Sequence, residues 1–186
     1  MPRAFRSGRG EEIDRRYLSR PVSHATVDCM NPYAAYLGDL DPLAVIAATP
    51  TQLSSLVNAA GPGGVERPRA PGKWSIRQIL CHLADCESVF AVRLRQTLAE
   101  THHVIQPFDQ DLWAKRHDGV AARAALAAFT AMREWNVALI RAASDTDLAK
   151  PVTHPERGEM TFRTLVETMA GHDRNHLKQV EEMAAA

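Results

Sequence analysis

The sequence predicts an all-α protein built as a four-helix bundle with one or two short additional helices. Four long segments carry apolar residues at spacings of three and four, which is typical of amphipathic helices. Helix-start signals precede these segments, and glycine and proline separate them. No run of alternating apolar and polar residues indicates a strand. A bundle is favoured because it buries four apolar stripes against one another.

Two start signals precede the first bundle helix. Asp41 followed by Pro42 places a capping residue before a proline at the first helical position, which predicts a short helix reaching about Ala48. The stretch TPTQ at 49–52 repeats this signal as a capping box and predicts a separate helix over 50–60. The run GPGG directly after it predicts the end of that helix.

The later helices begin at capping residues in the same way. Ser75 forms a capping box with Gln78, and Thr161 caps the last helix. The stretch 145–160, with two prolines and a glycine, is predicted to be a long connection. The predicted helices cover 76–100, 109–115, 120–143, and the residues from the Thr161 cap to about 183.

The chain divides into a tail and a domain. Residues 1–29 hold six arginines against four acidic residues and show little hydrophobic periodicity. We expect them to form a flexible N-terminal extension, or to be a gene-start artefact that precedes Met30. Residues 30–186 form the predicted bundle domain.

Composition excludes several classes of protein. Lys+Arg and Asp+Glu balance at 22 each, which argues against a nucleic-acid partner. No apolar run approaches a membrane span, and the N-terminus lacks the apolar region of a secretory signal, so we expect a cytoplasmic protein without a membrane partner. Cys29, Cys81 and Cys86 form no CxxC pair and are expected to be reduced thiols.

The last helix carries two histidines where its pattern calls for apolar residues. His172 and His176 lie four residues apart, so their rings share one face of the helix. That spacing allows two imidazoles to bind one metal ion, although two hydrogen-bonded core residues would show the same pattern. Asp173 stands where the HExxH motif has its glutamate, so the site is not that of a zincin.

His82 interrupts the second bundle helix in a similar manner, between Ile79 and Cys86. Taken alone, a histidine that faces a core is more often a hydrogen-bonded residue than a ligand. If the second and fourth helices are neighbours, His82 meets the pair on the fourth. Three imidazoles would leave coordination positions open, which is the catalytic arrangement, and neutral imidazole suits zinc, nickel, copper and iron.

Four residues near these histidines are candidates for weaker roles. Cys86 could approach the metal or a substrate, although a small buried apolar residue is the simpler interpretation. Asn136 could line a polar pocket or bond to a neighbouring backbone. Asp85 and Asp173 could orient a ligand histidine by binding its second ring nitrogen, or they could lie in water on the helix surface.

The remaining histidines of the predicted loops are expected at the surface. They are His102, His103, His117 and His154. Trp74 is expected to pack at the bundle end, and Trp113 either packs in the core or covers the mouth of the site.

Four segments resemble the DinB/YfiT-like family of candidate metalloenzymes: GKWSIRQILCHLADCE, FDQDLWAKR, HPERGEMTFRTL and MAGHDRNHLKQV. The resemblance covers residues 30–183. It implies a four-helix bundle, often dimeric, with a metal held by a histidine on the second helix and an HxxxH pair on the fourth. Carried over, these ligands are His82, His172 and His176. Some members resemble transferases or isomerases that use bacillithiol, mycothiol or glutathione.

Three hypotheses for the function follow. The first is a metal-dependent enzyme with one divalent ion, zinc or nickel before iron or manganese, that transfers a low-molecular-weight thiol to an electrophilic small molecule. A water nucleophile would make it a hydrolase. The second is a non-catalytic, metal-stabilised module for binding or stress response, which a fourth protein ligand such as Cys86 would favour. The third is a core without metal.

Overall fold

The computed structural model describes residues 31–185, and they form the predicted four-helix bundle. The helix over Phe162–Ala184 packs between the helices over Pro42–Glu66 and Ile76–Ala99, and the helix over Ala122–Arg141 packs against the same two. The elements in chain order are α1 (Ala34–Leu37), α2 (Pro42–Glu66), α3 (Ile76–Ala99), β1 (His103–Val104), α4 (Gln110–Ala114), α5 (Ala122–Arg141), α6 (Asp145–Leu148), β2 (Pro151–His154), β3 (Gly158–Thr161) and α7 (Phe162–Ala184). The predicted extension over 1–29 and the exact start of the domain lie outside the described residues.

The α2 helix continues through Pro50, so the prediction of two separate helices in this region was wrong. A proline has no N–H to donate to the carbonyl four residues earlier, which ordinarily breaks a helix. Here the free carbonyl of Ile46 accepts a hydrogen bond of 2.9 Å from Arg133 of α5 instead. The predicted end at residue 60 is a kink at Gly61, where φ is 63°, and helical turns continue to Glu66.

A small three-stranded sheet occupies connections that were predicted to be loops. The β2 and β3 strands pair antiparallel, and β1 runs parallel to β2. Val152 lies opposite Met160 in the register, and both side chains are buried, which attaches the hairpin to the bundle. Two short helices, α1 and α6, were also not predicted, so the described residues hold three short helices.

Among the described residues, α2 is the one helix long and apolar enough to cross a membrane by length and composition. This differs from the expectation that no apolar run approaches a span. It is weak evidence for a membrane, because core helices of soluble proteins pass the same test. In the structure α2 packs along α7 and α5, with Ile46 and Leu53 fully buried.

A layer of polar side chains divides the core into two apolar clusters, one around Phe90 and Phe162 and one around Leu80 and Phe129. We call it the polar layer; it comprises Glu87, Arg133, Asn136, Asp173 and the three histidines His82, His172 and His176.

At the centre of the polar layer, the Arg133 guanidinium binds Asp173 at 2.5 and 3.1 Å and Glu87 at 2.7 Å. Asn136 donates to the other Glu87 oxygen at 2.8 Å. Desolvation acts to lower the pKa of Arg133, but Asp173 and Glu87 raise it above its usual value. With its bond to Ile46, Arg133 therefore connects all four long helices.

Removal of this guanidinium should strongly destabilise the fold. Arg133→Met leaves two carboxylates buried without a counter-charge, and we expect the free energy of unfolding to fall by about 3–5 kcal/mol. Urea unfolding followed by circular dichroism at pH 7 measures this change. Arg141→Met, at an exposed position of the same helix, should change it by less than about 0.5 kcal/mol.

A second variant separates lost charge pairing from lost packing. In Glu87→Gln/Arg133→Met/Asp173→Asn the buried charges are gone, so we expect this variant to be more stable than Arg133→Met alone. A loss below about 1 kcal/mol in Arg133→Met would contradict the central role of this interaction.

Candidate metal centre

Three histidine side chains from α3 and α7 meet inside the polar layer. His82, His172 and His176 are 4, 5 and 6% exposed. The Nε2 atom of His172 lies 3.1 Å from Nε2 of His82 and 3.2 Å from Nε2 of His176. The fold makes α3 and α7 neighbours, as the sequence analysis requires, and brings together the three histidines singled out there.

The contacts of His172 exceed what hydrogen bonding can satisfy. An imidazole nitrogen carries either one N–H or one lone pair, so it makes one good hydrogen bond. Nε2 of His172 has two nitrogen neighbours at such distances. A cation shared by the three rings would satisfy all of them. In a tetrahedral site with metal–nitrogen distances of about 2.0–2.1 Å, ligand nitrogens lie roughly 3.3 Å apart, which is near the two separations at Nε2 of His172.

All three rings are in the neutral form near pH 7. Burial lowers the pKa of His82 to about 3, and the charges that His176 and His117 would carry add to this effect. Burial also lowers the pKa values of His172 and His176, although Gln179 and Asp173 partly oppose the shift at His176. Neutral imidazole is the form that binds metals.

Neighbouring side chains hold the rings in place. The Oε1 atom of Gln179 lies 3.2 Å from Nδ1 of His176; if it accepts the Nδ1 proton, the lone pair of Nε2 faces the other two rings. Trp74 packs on His82 with ring centroids 5.0 Å apart, and the edge of Tyr33 meets His172 at 5.1 Å.

Tyr33 can reach His172 because α7 has a glycine at position 171. A Cβ atom there would lie 2.4 Å from the carbonyl oxygen of Tyr33 and 2.7 Å from its Cβ. Glycine is unfavourable inside a helix by about 1 kcal/mol relative to alanine. The close approach of the segment that carries Tyr33 explains why the helix has a glycine at this position.

Cys86 lies beside the histidines, one turn after His82. Its sulfur is 3.5 Å from Nε2 of His82 and 3.9 Å from Nε2 of His172, and the three residues form a group that could hold a metal ion. Burial, followed by the charge of Asp85, raises the pKa of the thiol to about 12. Cys86 is therefore a neutral thiol near pH 7, and it also belongs to an apolar cluster of the core.

The family model described as the DinB superfamily matches residues 46–180. The chain belongs to the DinB superfamily. A candidate metal-dependent hydrolase of Oceanobacillus iheyensis is 29% identical over 113 residues, which are 60% of this chain and 66% of that relative. The candidate metal-dependent hydrolase YfiT of Bacillus subtilis is 24% identical over 143 residues, which are 75% of this chain and 80% of YfiT.

The solved structure of Bacillus subtilis YfiT, a four-helix bundle of unusual topology, has the same fold as this DinB-superfamily chain. The TM-score is 0.71 at 19% identity, and the match covers 85% of this chain and 97% of YfiT. At this identity the likeness concerns the fold alone.

In this DinB-superfamily chain the carboxylates nearest the histidine cluster bind other side chains. Asp173 is 1% exposed and binds Arg133. The Oδ2 atom of Asp85 lies 2.6 Å from Nε2 of His117, within hydrogen-bonding distance. Within residues 31–185 no hydrogen bond joins either carboxylate to the three clustered rings. Neither carboxylate therefore orients a ligand ring by a hydrogen bond, contrary to the prediction. The alternative that Asp173 lies in water on the helix surface was also wrong.

Several other predicted positions also need correction. His117 and His154 are 8 and 4% exposed, so they are not surface residues, whereas His102 is exposed as predicted. Trp113 is 39% exposed and packs on Phe108, so the prediction that it packs in the core was wrong. Asn136, predicted on the inward face of its helix, is indeed buried. It donates to the Glu87 side chain at 2.8 Å and to the Glu87 backbone carbonyl at 3.5 Å, and it accepts from Arg95, so the alternative of a bond to neighbouring backbone agrees with the structure.

Two residues at the site were missed by the sequence analysis. Gln179 lies three residues after His176, and that spacing places both on one helix face, so the pattern could have indicated it. Tyr33 is distant in sequence from His172, and only the glycine at 171 signals a close approach.

A cavity of about 620 Å³ opens beside His176 and Trp74. Ile79 and Met183 contribute apolar walls, and Lys73 belongs to its lining. The cavity lies next to the histidine cluster and is large enough for a small molecule.

Proposed function

We propose that this protein binds one divalent metal ion through His82, His172 and His176 and transfers a low-molecular-weight thiol to an electrophilic small molecule. The observation that carries the metal site is the pair of nitrogen contacts at Nε2 of His172, which hydrogen bonds alone do not satisfy. The names of the relatives, which refer to metal dependence, support it. Zinc and nickel suit three neutral imidazoles best, with iron and manganese as alternatives.

The surroundings of the histidines favour a thiol over water as the nucleophile. When bound, the ion would deprotonate a coordinated thiol, so no separate base is required. Attack by bound water is commonly assisted by a carboxylate base, as in the HExxH motif. Asp85, Glu87 and Asp173 each bind a cationic or basic partner, and within residues 31–185 no hydrogen bond joins any of them to the three rings.

The proposed reaction is a substitution. The thiol proton leaves to solvent, a carbon–sulfur bond forms, and the bond from that carbon to its leaving group breaks. The cavity beside Trp74 would hold the apolar part of the electrophile. The buried, neutral rings would keep the metal while the small molecules exchange.

Hydrolysis is the second candidate reaction. The names of the two relatives, both candidate metal-dependent hydrolases, favour it. In this case the open position would take a water molecule whose pKa the ion lowers to about 7.

A non-catalytic, metal-stabilised module is the third candidate. The position of Cys86, 3.5 Å from His82, favours it, because a fourth protein ligand is typical of structural sites. The homodimer and the cytoplasmic location remain predictions.

Loss of one ligand should remove the metal. Protein purified without a histidine tag is expected to contain about one divalent ion per chain, and His172→Ala should contain almost none. Elemental analysis measures the content, and circular dichroism verifies that the variant is folded. His102→Gln, which changes an exposed histidine, is the matched control and should retain the ion. Equal metal content in His172→Ala and the control would contradict the site.

Proton release should distinguish an open three-histidine site from a closed site with Cys86. Near pH 7 the three imidazoles are neutral, because burial lowers the pKa of each below its ordinary value, so zinc binding should release no proton from the rings. Coordination by the Cys86 thiol, with its pKa near 12, would release about one proton per ion. Calorimetric titration in two buffers of different ionisation enthalpy counts the protons.

The matched pair for this titration is Cys86→Ala and Cys81→Ala, since both cysteines are buried on α3. We expect the same count in both variants and in the unmodified chain. Release of one proton that disappears only in Cys86→Ala would support the non-catalytic module.

Turnover should require both a thiol and the metal. Bacillithiol, mycothiol and glutathione are each supplied with 1-chloro-2,4-dinitrobenzene, and chloride release and thioether formation are followed with and without chelator. We expect at least one thiol to react, and chelator or His172→Ala to reduce the rate to background. An ester substrate is tested in parallel without thiol. Ester hydrolysis in the absence of thiol transfer would favour the hydrolase, and absence of both reactions would favour the non-catalytic module.

A further inference from the structure

Two arginines near the histidine cluster lack an ion-pair partner among residues 31–185. Arg93 lies on α3, seven residues after Cys86, and its guanidinium lies 5.9 Å from the centre of the Phe90 ring. It donates one hydrogen bond of 3.3 Å to the carbonyl of Gln106, while its Nε–H is buried without a partner. Arg157 lies in the turn between β2 and β3, and the described residues offer its side chain no hydrogen bond or carboxylate.

The turn that carries Arg157 is fixed by the buried His154. Nδ1 of His154 accepts the N–H of Glu156 at 3.1 Å, and its carbonyl accepts the N–H of Arg157 at 3.1 Å. Val152 and Met160 anchor the hairpin in the core. The position of Arg157 is therefore set by packed structure rather than by a free loop.

Hydrogen bonds connect Arg93 to the hairpin that carries Arg157. Arg93 donates to the carbonyl of Gln106, and the N–H of the preceding Ile105 donates to the carbonyl of Thr153 in β2 at 2.8 Å. On α3, Arg93 lies two turns after Cys86, whose sulfur is 3.5 Å from Nε2 of His82.

Desolvation, followed by the charge of Arg157, lowers the pKa of Arg93. Desolvation and then both arginine charges lower the pKa of His154. The charge of Glu156 opposes this shift only in part. Since no carboxylate of residues 31–185 forms an ion pair with either arginine, a bound anion would relieve the repulsion between them.

We propose that Arg93 and Arg157 form a subsite that binds a carboxylate of the substrate beside the three histidines. Guanidinium groups match carboxylates in geometry and bind them by paired, charge-assisted hydrogen bonds. The free Nε–H of Arg93 supplies a donor that is already desolvated. The assignment deepens the proposed function, because it predicts that the chain prefers a thiol with carboxylates, such as glutathione or bacillithiol, over mycothiol, which has none.

Carboxylate binding can be measured without turnover. Succinate is titrated into the metal-loaded chain, with the neutral diamide succinamide as the matched ligand, at constant ionic strength. The Arg93 Nε–H resonance is followed by ¹H–¹⁵N NMR. We expect saturable binding of succinate that shifts this resonance, and no comparable effect of succinamide. Arg93→Gln and Arg157→Gln should each weaken binding about ten- to hundredfold, whereas Arg141→Gln, at an exposed position, should leave it unchanged.

A metal-free variant separates this subsite from the metal. Succinate should still bind to His172→Ala, because the arginines are intact. Binding that is lost in His172→Ala, or that is equal in Arg157→Gln and Arg141→Gln, would overturn the assignment. A chain that binds succinate through the arginines but transfers no thiol would retain the subsite and reject the proposed reaction.

Discussion

The buried guanidinium of Arg133 is the interaction on which the arrangement of the bundle depends. Its bonds reach the Ile46 carbonyl on α2, Glu87 on α3 and Asp173 on α7, while the arginine itself belongs to α5. A charge buried without its partners costs several kcal/mol, so none of these helices can slide or rotate without a large penalty. Because Asp173 is fixed, its neighbour His172 and, one turn later, His176 are held facing α3.

The carboxylates near the histidines bind other side chains, and this determines the electrostatics of the candidate metal centre. Asp173 is occupied by Arg133 and Asp85 by His117, so the partners of the three rings are uncharged: Gln179, Tyr33, Trp74 and the Cys86 thiol. A divalent ion would then have no carboxylate ligand from residues 31–185 to offset its charge. Such an ion has its greatest effect on the pKa of whatever fills its open position, which suits activation of a thiol or of water.

The regular part of the fold could be predicted from the sequence because its signals are local. Periodicity indicates the long helices, the capping boxes of Ser75 and Thr161 mark the starts of α3 and α7, and the spacing of His172 and His176 places both on one helix face. The prediction failed at Pro50 because the compensating donor is Arg133, 87 residues from the carbonyl it binds. The strands were missed because four residues are too few to show alternation, and burial of His154 depends on that hairpin.

The cavity beside Trp74 has apolar walls and the proposed arginine pair is charged. The two are supplied by different segments of the chain. The cavity beside Trp74 lies at the loop before α3, whereas Arg157 comes from the hairpin before α7. The ring nitrogens themselves lie on the long helices that this chain has in common with YfiT. Lys73, Trp74 and Arg157 thus lie on connections, which vary more readily than packed helices, whereas Arg93 and Ile79 lie on α3. A bundle fold of this kind can therefore serve different substrates, and in this chain the proposed Arg93 and Arg157 pair would select for carboxylates.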